Sequence, residues 1–443
     1  MNQAANDTVR RQIIDYRMIW RWHFYAGLAC IPFIVILSLT GPIYLFKPQI
    51  EAAIDRPYDQ VGRAGRVQPL SAQVEGALAA FPHAQFQSVE VRPDVTDAAR
   101  VTLSEKGERL RVYVHPETLT VLKSVPEEAR FMNVVKTIHG ELFAGLFGTL
   151  LVETAACWAI VMILTGLYLW WPRGAKGMAG VLWPRLEAKL FWRDLHAVTG
   201  LWVSFFALCL LLTGLPWTTV WGAGFKAVRQ AVIAQSSKPD WSTSRAADKA
   251  GEHEGHGHGS AQAGGGVDLT LLDHMAGELR AADLPPPVML MAPARGKPWQ
   301  GVSQTQNRPK GVTVTFDHMG DVAQIKTFGD KPLIDRVFGV GIALHEGQLF
   351  GAFNQALGVL TAAGLLTLCV SAVMMWWRRR PDKVTLGAPS RLADERLGTG
   401  LGLLILGLAL FLPMMGLCLI LVALIERWVL RRIAPVRDWL GMT

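Results

Sequence analysis

The chain has little cysteine. There are five, Cys30, Cys157, Cys209, Cys369 and Cys418, each inside an apolar run, and no CxxC pair. That excludes a disulfide framework, a thiolate zinc site and an iron–sulfur cluster. There is no GxGxxG dinucleotide fingerprint. Acidic residues are the minority, 36 against 44 basic, for a formal charge of +8. In a chain this apolar the basic excess reads as cytoplasmic loop charge, not as a nucleic-acid surface. No cleavable signal peptide is expected. The first apolar run begins only at about residue 22 and is too long for a signal sequence, so it reads as an uncleaved span.

What is abundant is grease. Hydrophobic residues make up 51% of the 443, mean hydropathy is +0.25, and there are 16 tryptophans. The chain is organised around a stretch that occurs twice, His23–Gly41 and His196–Gly214. A shift of 173 positions superimposes His23 on His196, Gly27 on Gly200, and Leu39-Thr40-Gly41 on Leu212-Thr213-Gly214. Apolar identities are cheap in such a segment, but an aligned histidine, two glycines and a threonine are not. Each copy has roughly the length needed to span a bilayer, about 20 residues. A second shift, of 206, takes His139 to His345, Gly145 to Gly351, and Trp170-Trp171 to Trp376-Trp377.

These repeats predict an α-helical integral membrane bundle. Four core spans form two parallel copies of span–soluble segment–span, followed by a C-terminal hydrophobic hairpin. In order, the chain divides into a cytoplasmic N-terminus with span 1 (1–47), a first α+β soluble domain (48–140), span 2 (141–172), a basic loop (173–195) and span 3 (196–221). A second α+β domain (222–345), span 4 (346–378), a loop (379–397), the hairpin (398–432, interrupted by Pro413) and a tail (433–443) follow. Helical patterns fall at 70–80 and 268–282. Strand-like runs fall at 85–92, 100–104, 110–114, 287–292, 311–316 and 321–327, with another short strand after the turn at His115–Thr118. Basic residues concentrate after the even-numbered spans and on both sides of the hairpin, which gives six spans with the N-terminus inside. The soluble domains then lie outside the membrane of a bacterial cell, in the periplasm.

In this arrangement each half carries one histidine at the cytoplasmic start of its first span and one at the outer start of its second. A parallel repeat sets equivalent residues around a pseudo-two-fold along the membrane normal. His23 then faces His196, and His139 faces His345. Two imidazoles converging across helices supply the axial ligands of a low-spin b-type haem, so two haem b groups are expected. Arg21 and Arg193 are candidate propionate partners on the inner side, and Lys136 and Arg336 on the outer side. A lone histidine at a span end is ordinarily an interfacial anchor; four in two repeat-matched pairs favour ligation. His83, His115, His274 and His318 show no spacing pattern and read as surface residues. His253, His256 and His258, in the Gly/Ala/Ser-rich stretch 243–266, read as a linker that binds metal either specifically or adventitiously. Trp170, Trp171, Trp376 and Trp377 read as an aromatic belt. Gly27, Gly41, Gly200 and Gly214 admit either a flat macrocycle or plain helix packing.

Several motifs resemble one family. They are W-R-W-H (Trp20–His23), L-T-G-P (Leu39–Pro42), I-H-G-E-L (Ile138–Leu142), L-T-G-L-Y-L-W-W-P (Leu164–Pro172), D-L-H-x3-G-L (Asp194–Leu201) and L-H-E-G (Leu344–Gly347). On these the chain resembles the PepSY-associated transmembrane proteins, the iron-regulated group that includes bacterial ferrisiderophore reductases. The resemblance implies PepSY-like soluble domains and an inner-membrane haem reductase, one that passes electrons outward to a ferric siderophore and releases Fe(II). No nucleic-acid partner is expected. The cytoplasmic segments are too short for a flavin domain, so a membrane quinol or a separate cytoplasmic reductase must supply the electrons. Two other classes compete. A siderophore or metal transporter needs polar groups at mid-span, where Glu153 is the main acidic candidate. A non-enzymatic PepSY binding or regulatory protein needs no paired intramembrane histidines.

Overall fold

The computed structural model describes residues 2–62, 65–172, 177–234, 268–294, 297–380, 385–389 and 398–441, with side chains from residue 16. In chain order the helices and strands are α1 (Asn2–Leu45), α2 (Lys47–Asp55), α3 (Leu70–Ala80), β1 (Gln85–Val91), β2 (Ala99–Glu105), β3 (Glu108–Val114), β4 (Val121–Pro126), α4 (Phe131–Glu141), α5 (Gly145–Trp170), α6 (Phe191–Gly214) and α7 (Val220–Ala234). Then come α8 (Leu272–Ala281), β5 (Val288–Met291), β6 (Gln300–Ser303), β7 (Val312–Phe316), β8 (Val322–Thr327), α9 (Leu333–His345), α10 (Ala352–Arg379), α11 (Thr399–Phe411), α12 (Pro413–Trp428) and α13 (Ala434–Trp439). They form two compact units. A helical one holds residues 1–43, 136–229 and 352–443, and a sheet-based one holds residues 44–135 and 230–351.

In the helical unit, five helices among the described residues are long and apolar enough to cross a membrane. They are Tyr16–Leu45, Gly145–Trp170, Phe191–Trp217, Ala352–Arg379 and Pro413–Arg432. Most of their surface is not covered by protein, and side chains such as Phe205, Leu360 and Leu421 stand exposed, as lipid contact requires. α5 packs against α6, and α6 against α10. Pro413 starts a new helix after Leu412, which is buried with Cys157, Ile160, Leu215 and Met415, so the C-terminal apolar block breaks into two helices there. Its first limb, α11, has 13 residues. At 1.5 Å per residue that is about 20 Å, short of the roughly 30 Å of hydrocarbon, so by length the sixth span is incomplete.

The second histidine of each half is not on its spanning helix. His139 lies on α4 and His345 ends α9, each followed by a turn before α5 or α10 begins. Gly145 (φ 53°) and Gly351 (φ 60°) take the left-handed conformation where α5 and α10 begin, at positions matched by the repeat.

The sheet unit departs from the expected pair of separate domains. Its strands form a single antiparallel sheet in the order β4-β3-β2-β1-β5-β6-β7-β8. The two soluble segments are four strands each and join edge to edge, with Val89 opposite Leu290 and Val91 opposite Val288. Joining β1 to β5 satisfies two exposed edges at once. α3 and α8 share one face of this sheet, over a common core that includes Val74, Leu103, Met275 and Leu290. β6 was not expected from the sequence. It is short and contains Gly301, where any side chain would collide with Leu279 of α8.

Side chains alternate across a strand, so the opposite face carries Glu90, Arg100, Arg111 and Tyr113. Glu90 is buried between Arg92 (3.1 Å), Arg100 (3.0 Å) and Arg111 (3.7 Å). Burial pushes its carboxyl up, but the three guanidinium groups outweigh that and hold it below the usual glutamate range. Asp55 and Asp59, at the end of α2 and just beyond it, complete the network on Tyr113 and Arg100.

Candidate functional site

The helical unit brings together residues that the repeat marks. His23 sits in the first turn of the first apolar run, where α1 passes the far end of α5. Its Nδ1 is 2.9 Å from Thr165 Oγ1. Gly166, next along α5, leaves room for the ring; a Cβ there would lie 3.3 Å from His23 Cε1. One turn further along α1, Gly27 meets Met162, so the two helices run antiparallel. On the second copy, His196 of α6 meets α10 in the same way. Its Nδ1 is 3.1 Å from Ser371 Oγ and 3.2 Å from the Leu368 carbonyl oxygen. The shift of 206 that aligns the second spans sets Thr165 on Ser371. The two contacts are therefore one contact made twice.

His23 and His196 are the matched histidines of the repeat. Their Nδ1 atoms are engaged, and their Nε2 atoms have no hydrogen-bond partner among the described residues. No group of three or more His, Cys, Asp or Glu that could hold a bare metal ion occurs among those residues. What the pair offers is two imidazole nitrogens.

The other histidines divide. His139 Nδ1 is 2.8 Å from Thr40 Oγ1, and its ring lies against Gly41, where a Cβ would be 3.3 Å from Cε1. His345 belongs to the sheet unit, at the last position of α9. Its helix end is held there by Asn307 on the Gln348 carbonyl (2.9 Å) and by Gln348 on the Leu45 carbonyl (2.8 Å). His274 pairs with Asp321 at 2.8 Å in the exposed turn between β7 and β8, and that hydrogen bond raises its pKa. His253, His256 and His258 lie outside the described residues.

The basic candidates differ in how they are employed. Arg21 donates from Nη2 to the Gly441 carbonyl oxygen (2.9 Å) and lies over the Tyr25 ring, while its buried Nη1 has no hydrogen-bond partner. Arg193 is 60% exposed and gives Nε and Nη2 to the carboxylate of Asp194, which also receives a two-nitrogen grip from Arg185. That hydrogen bond raises the Arg185 pKa. Arg336 Nε is buried without a hydrogen bond, and Lys136 has partners of its own. One basic residue escaped the sequence reading. Arg379, in the last turn of α10, stacks over Trp20. The Trp-Trp-Arg-Arg-Arg run at 376–380 was its only signal.

Glu153 is fully buried in α5, and both carboxylate oxygens are used. They accept the backbone N–H groups of Val220 (2.9 Å) and Trp221 (2.8 Å), at the start of α7. A carboxylate at a helix N-terminus satisfies donors that would otherwise be orphaned in an apolar site. The main acidic candidate for a transport path is thus a helix cap.

A family model described as the PepSY-associated TM region matches residues 20–379. That range holds the four repeat-related spans and both soluble segments. No match was found among curated proteins.

Proposed function

This chain belongs to the PepSY-associated transmembrane family, and from that premise we propose that it is an inner-membrane di-haem b reductase. It takes electrons from a quinol or a cytoplasmic reductase and delivers them outward, one at a time, to a ferric siderophore. The observation that carries the reading is the repeat-matched pair His23 and His196, each anchored through Nδ1 by a hydroxyl of the opposing helix.

The residues fit a haem on three counts. Two imidazole Nε2 atoms without partners are the donor set that a metal already ringed by four nitrogens requires. Gly166 and Gly41 keep the faces of α5 and α1 bare beside a histidine ring. Arg21 keeps a buried Nη1 with no hydrogen-bond partner among the described residues, as a carboxylate-bearing propionate needs. When bound, haem supplies reversible one-electron transfer between ferric and ferrous iron. On the inner side His23 and His196 would hold the haem iron through imidazole nitrogen, with Arg21 and Arg193 as the propionate partners. By the sequence repeat alone, His139 and His345 would play the same part on the outer side, with Lys136 and Arg336.

The substrate chemistry is balanced by one electron per iron. Hard oxygen ligands hold Fe(III) tightly and Fe(II) far less, so reduction releases iron without breaking the chelator; one quinol reduces two chelates and gives up two protons. The use of Glu153 as a cap removes the main support for a transport path. Purified protein given a quinol and a ferric hydroxamate chelate should produce Fe(II), trapped by a ferrous-specific chelator. Haem-loaded protein that yields none overturns the proposal.

A further inference from the structure

Each histidine–hydroxyl contact carries information about a proton. Thr165 Oγ1 lies 2.8 Å from the Val161 carbonyl oxygen one turn back in α5, Thr40 Oγ1 lies 2.8 Å from that of Ile36, and Ser371 Oγ lies 2.7 Å from that of Thr367. A carbonyl oxygen only accepts, and a hydroxyl has a single proton. With that proton directed to the helix backbone, each hydroxyl meets its histidine as an acceptor. Nδ1 must then carry the ring proton, and Nε2 must carry the lone pair. The Leu368 carbonyl imposes the same tautomer on His196 independently.

The acceptor sets are unequal. His196 Nδ1 faces two oxygens, Ser371 Oγ and the Leu368 carbonyl, whereas His23 Nδ1 faces one, Thr165 Oγ1. We propose that Thr165 and Ser371 are positioning residues that fix the ligating tautomer of His23 and His196, and that Thr165 is the more consequential of the two because His23 has no second acceptor among the described residues. The proposal rests on the haem reading above. An acceptor on Nδ1–H makes the imidazole a stronger donor through Nε2, which favours the ferric state and fixes the ring plane. A sequence search for ligands passes over both residues, because a Thr or Ser in an apolar helix ordinarily only bonds its own backbone.

The test uses full-length purified protein carrying haem. Thr165→Val keeps the shape and removes the acceptor. The haem that His196→Ala abolishes should then lose roughly tenfold of its ferric-over-ferrous preference, a rise of about 59 mV in midpoint potential for one electron. Its low-spin EPR signal should shift as the ring is freed. Thr165→Ser should restore both, and Ser371→Ala should move them less, since Leu368 still holds Nδ1–H. A purely structural role for Thr165 would change stability and leave potential and EPR where they were. In haem-free protein the 15N shifts of His23 should report a protonated Nδ1, and should revert to the ordinary Nε2–H form in Thr165→Val. An unchanged potential in Thr165→Val, or a larger shift in Ser371→Ala than in Thr165→Val, overturns the inference alone. Wild-type protein without haem overturns it together with the reading it rests on.

Discussion

Thr165 Oγ1 stands 2.9 Å from His23 Nδ1, and Ser371, which the repeat sets opposite Thr165, stands 3.1 Å from His196 Nδ1. The sequence repeat is thus also a repeat of contacts between helices. A histidine on the first span of each half is held by a hydroxyl on the second. An interfacial anchor has no use for such a match, because a ring half in water finds its partners there.

Removing one ligand of a pair should therefore act on one haem. His196→Ala should abolish the inner haem, since His23 alone holds iron weakly in an apolar site, while the outer haem survives. Dithionite should still reduce the outer haem directly, although electron flow from the inside stops. His345→Ala should do the reverse. Insertion should be unaffected, because hydrophobicity and loop charge decide it. Haem content and redox spectra of both variants check this; either variant keeping both haems means that the pairing is wrong.

Glu153 separates a cap from a transport residue. Glu153→Ala orphans the N–H groups of Val220 and Trp221 in an apolar setting and should lower stability by about 2 kcal/mol. Glu153→Gln keeps an acceptor oxygen and should cost less. Thermal unfolding in detergent measures both, alongside ferric-chelate reduction. A Gln variant of normal stability that has lost function would return Glu153 to a chemical role.

Acid should loosen the sheet unit in a defined window. Burial pushes the Glu127 carboxyl up, but Arg111 (3.3 Å) and Arg130 (2.6 Å) outweigh it and hold its pKa at about 2, against an ordinary 4.5. The folded value lies below the unfolded one. The stability this group contributes is therefore complete above pH 4.5 and drains away as pH falls toward 2. Glu127→Gln should flatten that decline and, by leaving buried guanidinium groups unpaired, cost about 3 kcal/mol at neutral pH. Hydrogen exchange of the β3 amides against pH follows it; a loss already complete above pH 5 would assign the acid sensitivity elsewhere.

Much of this was legible in the sequence because the signals were local. Apolar length gave the spans, alternation gave most strands, and aligned rare residues marked His23 and His196, whose helix contacts repeat. What was not legible depends on partners distant in sequence. Nothing near Val89 announces that β1 will pair with Leu290 of β5. Gly301 breaks the alternation of β6 for the sake of Leu279. α5 begins apart from α4, at a left-handed Gly145. Glu153 read as a possible transport residue because its partners, two backbone N–H groups, have no sequence signature.

The orientation proposed from loop charge has its own check. Leu186, in the loop between α5 and α6, is 86% exposed. A cysteine placed there should react with an impermeant maleimide only in inverted vesicles or after permeabilisation. Labelling from outside intact spheroplasts would invert the topology and, with it, the direction of electron flow.

The central claim is that two imidazole pairs hold two haems, and the most direct measurement is a pyridine haemochrome assay joined to a reduced-minus-oxidised spectrum of the purified protein. The account predicts two haem b per chain, with reducible Soret and α bands of bis-histidine type. One haem would remove the His139/His345 pair. A protein expressed with haem available that binds none would contradict the account and leave His23 and His196 as structural residues.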